Sequence, residues 1–418
     1  MSISFSSPVT YAAGANPVDV TTADLTGNSL PDIIVADDGN DTVGNNGGVD
    51  ILYNNGSGGF LPAVTYAAGT VPVGVLAVDL TGNGLQDLVV EDYGFTPTDG
   101  GVDVLMSNGS GGFLPPASYA TAPYPEGIVT ADLNGDEEPD IIVGSASNYI
   151  TVLMNNGSGG FLPAVTYAVG SAPFGVATTD LTGNGLQDII VADGGNGAAG
   201  TGGVDVLMNN GSGGFLPPVS YAVGLFPGGV TTADLTGNGL QDIIVVDNGD
   251  GSPDSAGFEV LMNNGSGGFL PPVTYGVSGA IGGTGTTADL TSNVVPDIVG
   301  TDWTDTLYIF ANNGSGGFLA PVTYSAGATP TGVTTADLTG DGKLDIIVSD
   351  FGDGSPGSAG VEVLTNLGSP LCFLAGTRIA TPSGEVPVER LAAGDRVLTL
   401  RGKARRVLWI GQGRVLAT

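Results

Sequence analysis

The chain of 418 residues contains no histidine, a single cysteine and only nine lysines and arginines. Without histidine it lacks the side chain that most often serves as general base or transition-metal ligand near neutral pH. One cysteine, Cys372, excludes an internal disulfide framework and leaves the compartment open. No run of about 18 apolar residues occurs, so no membrane span is expected. The opening residues, Met1-Ser-Ile-Ser-Phe-Ser-Ser-Pro, have neither the basic nor the apolar segment of a cleavable signal peptide. Basic residues are also confined by position. Up to residue 371 there is one, Lys343, against 39 acidic groups, a net charge of −38; the last 47 positions carry eight against three, a net of +5. Such an acidic body repels phosphate backbones and anionic lipid, so no nucleic-acid partner is expected. Its self-repulsion also opposes compaction unless cations neutralise part of it.

What the chain does have is repetition. The pattern Asp-Leu-Thr-Gly-Asn-Gly-Leu-x-Asp, usually followed by Ile-Ile-Val, occurs seven times with variations, starting at Asp24, Asp79, Asp132, Asp180, Asp234, Asp289 and Asp337. Side-chain oxygens at positions 1, 3, 5 and 9, with glycine at 6 for a sharp turn, are what a hard cation such as Ca²⁺ requires. The candidate ligands are Asp24, Thr26, Asn28 and Asp32 in the first copy, Asp79, Thr81, Asn83 and Asp87 in the second, and Asp132, Asn134, Asp136 and Asp140 in the third. They continue as Asp180, Thr182, Asn184 and Asp188, then Asp234, Thr236, Asn238 and Asp242, then Asp289, Thr291, Asn293 and Asp297, and finally Asp337, Thr339, Asp341 and Asp345. Up to seven structural ions are expected. The sixth loop is the weakest, because Ser292 and Val294 replace both glycines; Ser29 and Glu137 replace one each in the first and third. Threonine at position 3 is a poor ligand, so affinity is expected in the ~10⁻⁴ to 10⁻³ M range of extracellular modules. The alternative is a turn capped by its own Asx hydrogen bonds, with no ion.

Successive copies are 48 to 55 residues apart, and such a period with several strands per unit indicates propeller blades. Each unit reads as four strands: Gly-Val-Thr-Thr-Ala-Asp-Leu, Asp-Ile-Ile-Val, Val-Asp-Val-Leu-Met-Asn-Asn and, after Gly-Ser-Gly-Gly, Phe-Leu-Pro-x-Val-Thr-Tyr. That last element is missing after the seventh loop, but Phe5-Ser-Ser-Pro-Val-Thr-Tyr11 supplies it at the other end. Residues 4–11 are therefore expected to form the outer strand of the last blade and close the ring, which also limits exposed sheet edges. The predicted fold is all-β: a seven-bladed β-propeller over 1–368, closed by an N-terminal strand, then a short β segment over 369–418. Connections between strands two and three are long in five blades and short in blades three and six. They share one face with the strand 4-to-1 connections, opposite the candidate metal loops, and a ligand is expected there. Aromatic candidates on that face are Tyr93, Phe95, Tyr124, Phe174, Phe226 and Trp303; because the set does not repeat, packing or loop anchoring is the expected fate of each.

These units resemble the FG-GAP/VCBS repeats of integrin α-subunit propellers and of many bacterial surface and lectin-like proteins. The resemblance covers about residues 4–367 and implies a seven-bladed propeller, Ca²⁺ in the 1–2 loops, and adhesion or carbohydrate binding as common roles. From Cys372 the texture changes. Gly376-Thr377, Val388-Glu-x-Leu and Gly394-Asp-x-Val-Leu resemble the start of a Hint domain, the self-processing fold of hedgehog proteins and inteins. There the junction cysteine attacks the preceding carbonyl, here that of Leu371, and a later Thr-x-x-His segment supplies a histidine. This chain has none, so Cys372 is expected to be an inert candidate nucleophile in an incomplete domain. The expectation is a non-catalytic, calcium-binding monomer at the bacterial surface or outside the cell, with a protein or glycan ligand on the propeller face. The alternatives are a carbohydrate-binding lectin-like propeller and an autoprocessing protein cleaved before Cys372.

Overall fold

The computed structural model describes residues 4–39, 46–195, 201–249, 255–277, 281–355, 357–368, 378–382, 384–387, 390, 396–398 and 404–406. It separates into a large unit ending at Gly368 and a small one from Ser369. The regular elements of the described residues are strands. No helix is long and apolar enough to cross a membrane.

The large unit is seven four-stranded antiparallel sheets, six of them following the order of the chain from the innermost strand outward and the seventh taking its outermost strand from the N-terminus. In blade four the strands are Pro173–Thr179, Asp188–Asp193, Gly203–Leu207 and Val219–Ala222. The second strand is buried on both faces because it lies inside its own sheet and between neighbouring blades. That burial is why its sequence is a β-branched run instead of an alternation. Strand four is narrower than its sequence suggests. Phe215 makes only an isolated bridge to Asn209, and the ladder starts at Val219, after two prolines that have no N–H to donate.

The seventh blade is completed as the repeat implies. Val9–Tyr11 pairs with Gly360–Leu364, and Phe5 bridges Asn366. Phe5 and the tyrosines also close the molecule in a second way. Each strand-four tyrosine meets the phenylalanine of the next blade edge-on, from Tyr11–Phe60 at 5.1 Å, through Tyr275–Phe318, to Phe5–Tyr324 at 5.5 Å. Seven such contacts girdle the ring, each adding about 0.5–1.5 kcal/mol beyond area burial. The apolar clusters likewise lie between adjacent blades, as where Ile34 and Ile51 meet Val75, Leu88 and Val90.

In the small unit Arg378–Thr381 pairs antiparallel with Gly384–Pro387, and Arg396–Leu398 pairs with Ala404–Arg406. Cys372, Leu371, Gly376, Thr377, Val388 and Gly394 lie outside the described residues.

Candidate functional site

The antiparallel meander sorts the connections onto two faces. The seven Asp-rich loops and the Gly-Ser-Gly-Gly turns share one; the strand 2-to-3 and 4-to-1 connections share the other.

On the first face the loops are nearly superimposable in their bonding. The first-position aspartate accepts the loop's own amides. Asp234 takes the N–H of Gly237 at 2.7 Å, Asn238 at 3.0 Å and Gly239 at 2.7 Å. Slight burial works against ionisation at Asp79, Asp180 and Asp234, but these amides outweigh it and hold all three below the usual carboxylate range. The fifth-position side chain accepts the N–H two residues on, as Asn238 does from Leu240 at 2.7 Å. Position 6 requires a positive φ, which Gly239 adopts at 85°. The replacements found in the sequence do not alter this turn. Ser29, Glu137 and Val294 take φ of 65°, 70° and 77°, and Asp289 still accepts Asn293 and Val294 at 3.0 and 2.9 Å.

The ninth-position aspartate is buried and ties two turns together. Asp242 Oδ2 accepts Leu235 N–H at 3.0 Å and Oδ1 accepts Asn263 N–H at 2.8 Å. Asn263 Nδ2 then donates to Leu181 O in the previous blade. The same clamp recurs at Asn54, Asn155, Asn209 and Asn312, where Asn54 reaches Leu338 and so helps seal the ring. Burial pushes these ninth-position carboxyls up, the amides oppose it, and the first-position aspartate adds repulsion. At Asp140, repelled by both Asp136 and Asp132, the value reaches about 6.

The donor chemistry fits a hard cation. In six of the seven loops the carboxylates repel one another, and Thr81 Oγ1, at the third position of blade two, is buried without a hydrogen-bond partner. Among the described residues no three carboxylate, thiol or imidazole groups converge closely enough to hold an ion by themselves. An ion here thus needs neutral oxygens as well.

The second face is irregular and opens into the ring axis. A cavity of about 560 Å³ is lined by the first strands of all seven blades, with Phe174, Trp303 and Phe351 around it. Its wall is made of glycines at one register position: Gly74, Gly127, Gly175, Gly229 and Gly285. Asp19 takes that position in blade one, and its Oδ2 accepts Val75 N–H at 3.0 Å from blade two. On the second strand of blade two, opposite Gly74, stands Glu91, where other blades have Ala36, Ala192, Val246, Gly300 or Ser349. Burial pushes Glu91 up to about 8 against one amide bond from Gly127, with repulsion from Asp19 and Glu126 added. Burial likewise raises Glu126 to about 7 and Asp19 to about 6.

The sequence expectation that the aromatic candidates pack away does not hold for Phe95 and Trp303, which are 51% and 59% exposed in strand 2-to-3 connections. Phe174, on the innermost strand of blade four, is 39% exposed, with one edge of its ring against Gly194. Phe174 and Trp303 reach the axial cavity; Tyr93 and Tyr124 stack on each other at 5.3 Å; Phe226 is half-buried. Asp19, Glu91 and Glu126 have no signal in the repeat. A further repeated feature does have one: the acid five residues after position 9 binds the 4-to-1 connection. Asp247 accepts Leu225 and Phe226 N–H, and Asp350 accepts Ala328 and Thr329 N–H.

Comparison with known proteins agrees with this architecture. Models of the FG-GAP-like repeat match residues 132–191, 180–245 and 289–348, and the Hint-domain model matches 371–418. No curated protein matches the chain. Among solved structures, one describing specific recognition of non-reducing terminal N-acetylglucosamine by an Agrocybe aegerita lectin is similar at 24% identity. It covers 74% of this chain and 80% of that one, with a TM-score of 0.50. Two structures of BBS1N in complex with ARL6DN, soaked with lead or mercury, are similar at 13% and 12% identity. They cover 85% of this chain and 94% and 93% of theirs, with TM-scores of 0.56 and 0.55. At these identities the likeness is one of fold.

Proposed function

We propose that this chain, a seven-bladed propeller of FG-GAP-like repeats followed by a Hint-domain match, is a non-catalytic recognition module. It works at a bacterial surface or outside the cell, with calcium in its 1–2 loops and its ligand on the opposite face. The observation that carries this reading is the contrast between the faces: one repeats the same bonding seven times, the other is irregular, partly aromatic and hollow at the axis. Concave sites with few convergent polar groups are where ligands bind. In each loop the residues at positions 1, 3, 5 and 9 would hold the ion. When bound, calcium supplies positive charge that offsets the carboxylate repulsion and ties the turn between strands one and two. Chelation is expected to lower the melting temperature of the full chain by several degrees; by linkage, an ion at about 100 times its Kd adds ~2.7 kcal/mol. A thermal scan that chelator leaves unchanged would remove calcium from the account.

A carbohydrate ligand is a second reading, supported by the exposure of Phe174 and Trp303 beside polar groups. A glycan array in calcium, with terminal N-acetylglucosamine among its probes, tests it; a uniform blank disfavours it. Self-processing rests on the Hint match alone. Mass spectrometry finding a fragment that ends at Leu371 would establish Cys372 as a nucleophile.

A further inference from the structure

The axial cavity contains a charge problem that the propeller's regular features do not explain. Glu91 is 2% exposed, it lines the cavity, and its Oε1 has no hydrogen-bond partner. Burying a carboxylate without a full set of partners is costly, and proteins retain such a group mainly where it meets something. Two further carboxyl groups, from different blades, repel it: Asp19 of blade one and Glu126 of blade three. Glu126 Oε2 is also buried and unpartnered. No basic residue of the first 371 is near enough to balance them, because the sole candidate, Lys343, pairs with Asp341 at 2.9 Å in a loop of the opposite face.

Space has been kept for this group. A Cβ on Gly74 would come within 2.7 Å of Glu91 Oε2, so a side chain there would displace the carboxyl. The same cavity is also lined by the aromatic rings of Phe174 and Trp303. The three carboxyls do not form a grouping that could hold a metal ion.

We infer that the axial cavity is a binding site for an organic cation, an ammonium or guanidinium on an aliphatic stem, whose charged head meets Glu91 and Asp19 while its stem lies against Phe174 and Trp303. Charge-assisted hydrogen bonds supply the missing partner of Glu91, and the aromatic rim favours a cation passing over it. The head is either a free amine or a lysine or arginine side chain of a partner. The site rests on the recognition reading above and names its ligand chemistry.

The test uses the full chain and the fluorescence of Trp303, one of two tryptophans, with Trp303→Phe fixing which one responds. The probes are n-hexylammonium, agmatine, a doubly blocked Gly-Lys-Gly peptide and 1-hexanol. Hexylammonium or agmatine should bind saturably and at least about tenfold more tightly than hexanol, a difference of ~1.4 kcal/mol. Glu91→Gln, which keeps the shape and removes the charge, should abolish that preference and leave hexanol binding in place. Binding of the peptide in addition marks a protein partner; its failure beside a positive amine marks a free amine as ligand. Equal binding of hexanol and hexylammonium, or a preference that survives Glu91→Gln, overturns the inference. A positive glycan array with no response to amines also overturns it, while leaving the recognition reading intact.

Discussion

The two faces of the ring are built from the same residue type by opposite rules. On the loop face the first-position aspartate of each copy accepts amides of its own loop, so that Asp79, Asp180 and Asp234 are held below the usual carboxylate range and the turn survives even where Val294 replaces glycine. On the axial face three carboxyls face one another with too few donors, and burial holds them protonated well above the usual range. Repetition thus marks groups that stabilise the fold. Departure from repetition marks groups the fold tolerates, which is where a binding role belongs.

The largest effect expected from this comparison is at a loop-face clamp. Asp242→Ala orphans two buried amides, Leu235 and Asn263, and should cost about 3–5 kcal/mol in denaturant unfolding. A loss under about 1 kcal/mol would mean that the clamp is incidental.

At the axis the prediction concerns pH. The folded-state value of Glu91, about 8, lies above its ordinary 4.5, so the native state binds this proton more tightly than the unfolded chain. Its stabilising contribution is complete below pH 4.5, shrinks as pH rises and is gone once pH has passed about 8; at most it is ~3–5 kcal/mol. Glu126 and Asp19, which face it, are raised too, so the decline begins at lower pH. Glu91→Gln should flatten the melting-temperature profile between pH 6 and 9. An unchanged slope would show that the carboxyl is not isolated from solvent.

Two smaller changes test how strictly the loop face obeys its rule. Val294 is β-branched, 88% exposed and at φ 77°, so Val294→Gly should stabilise by about 1 kcal/mol. Blade two has Ser107 where the other six have Asn; its N–H still bonds Asp87 at 2.8 Å, but the side-chain reach to the previous blade is missing. Ser107→Asn should restore a bond to Leu25 O and add about 0.5–1 kcal/mol, checked by chemical unfolding.

Much of this architecture is legible in the amino-acid sequence because it repeats. The Phe5-to-Tyr11 spacing places the closing strand, and the Asp spacing places all seven loops. The strand ends are less legible, since Pro330–Ala336 begins two residues before Gly332, where the repeat pattern opens the strand. A proline at an innermost strand's start costs no ladder bond, so it reads as a turn in sequence. The Phe-to-Tyr element reads as one strand, but its rings make their contacts between blades, because strand four is the outer edge and its tyrosine folds over the next blade. The axial carboxyls are invisible for a different reason. Residues 19, 91 and 126 carry carboxyls that do not repeat, in three consecutive blades, and only the packing of those blades against one another brings them together.

The division between the faces is tested most directly by one comparison of thermal melting at pH 9, of Asp242→Ala and Glu91→Gln against the parent chain. The account predicts shifts of opposite sign: a steep fall when a satisfied loop-face carboxylate is removed, and a rise when the unpartnered axial charge is neutralised. Two falls of similar size would contradict it, and would make the axial carboxyls as structural as the clamps.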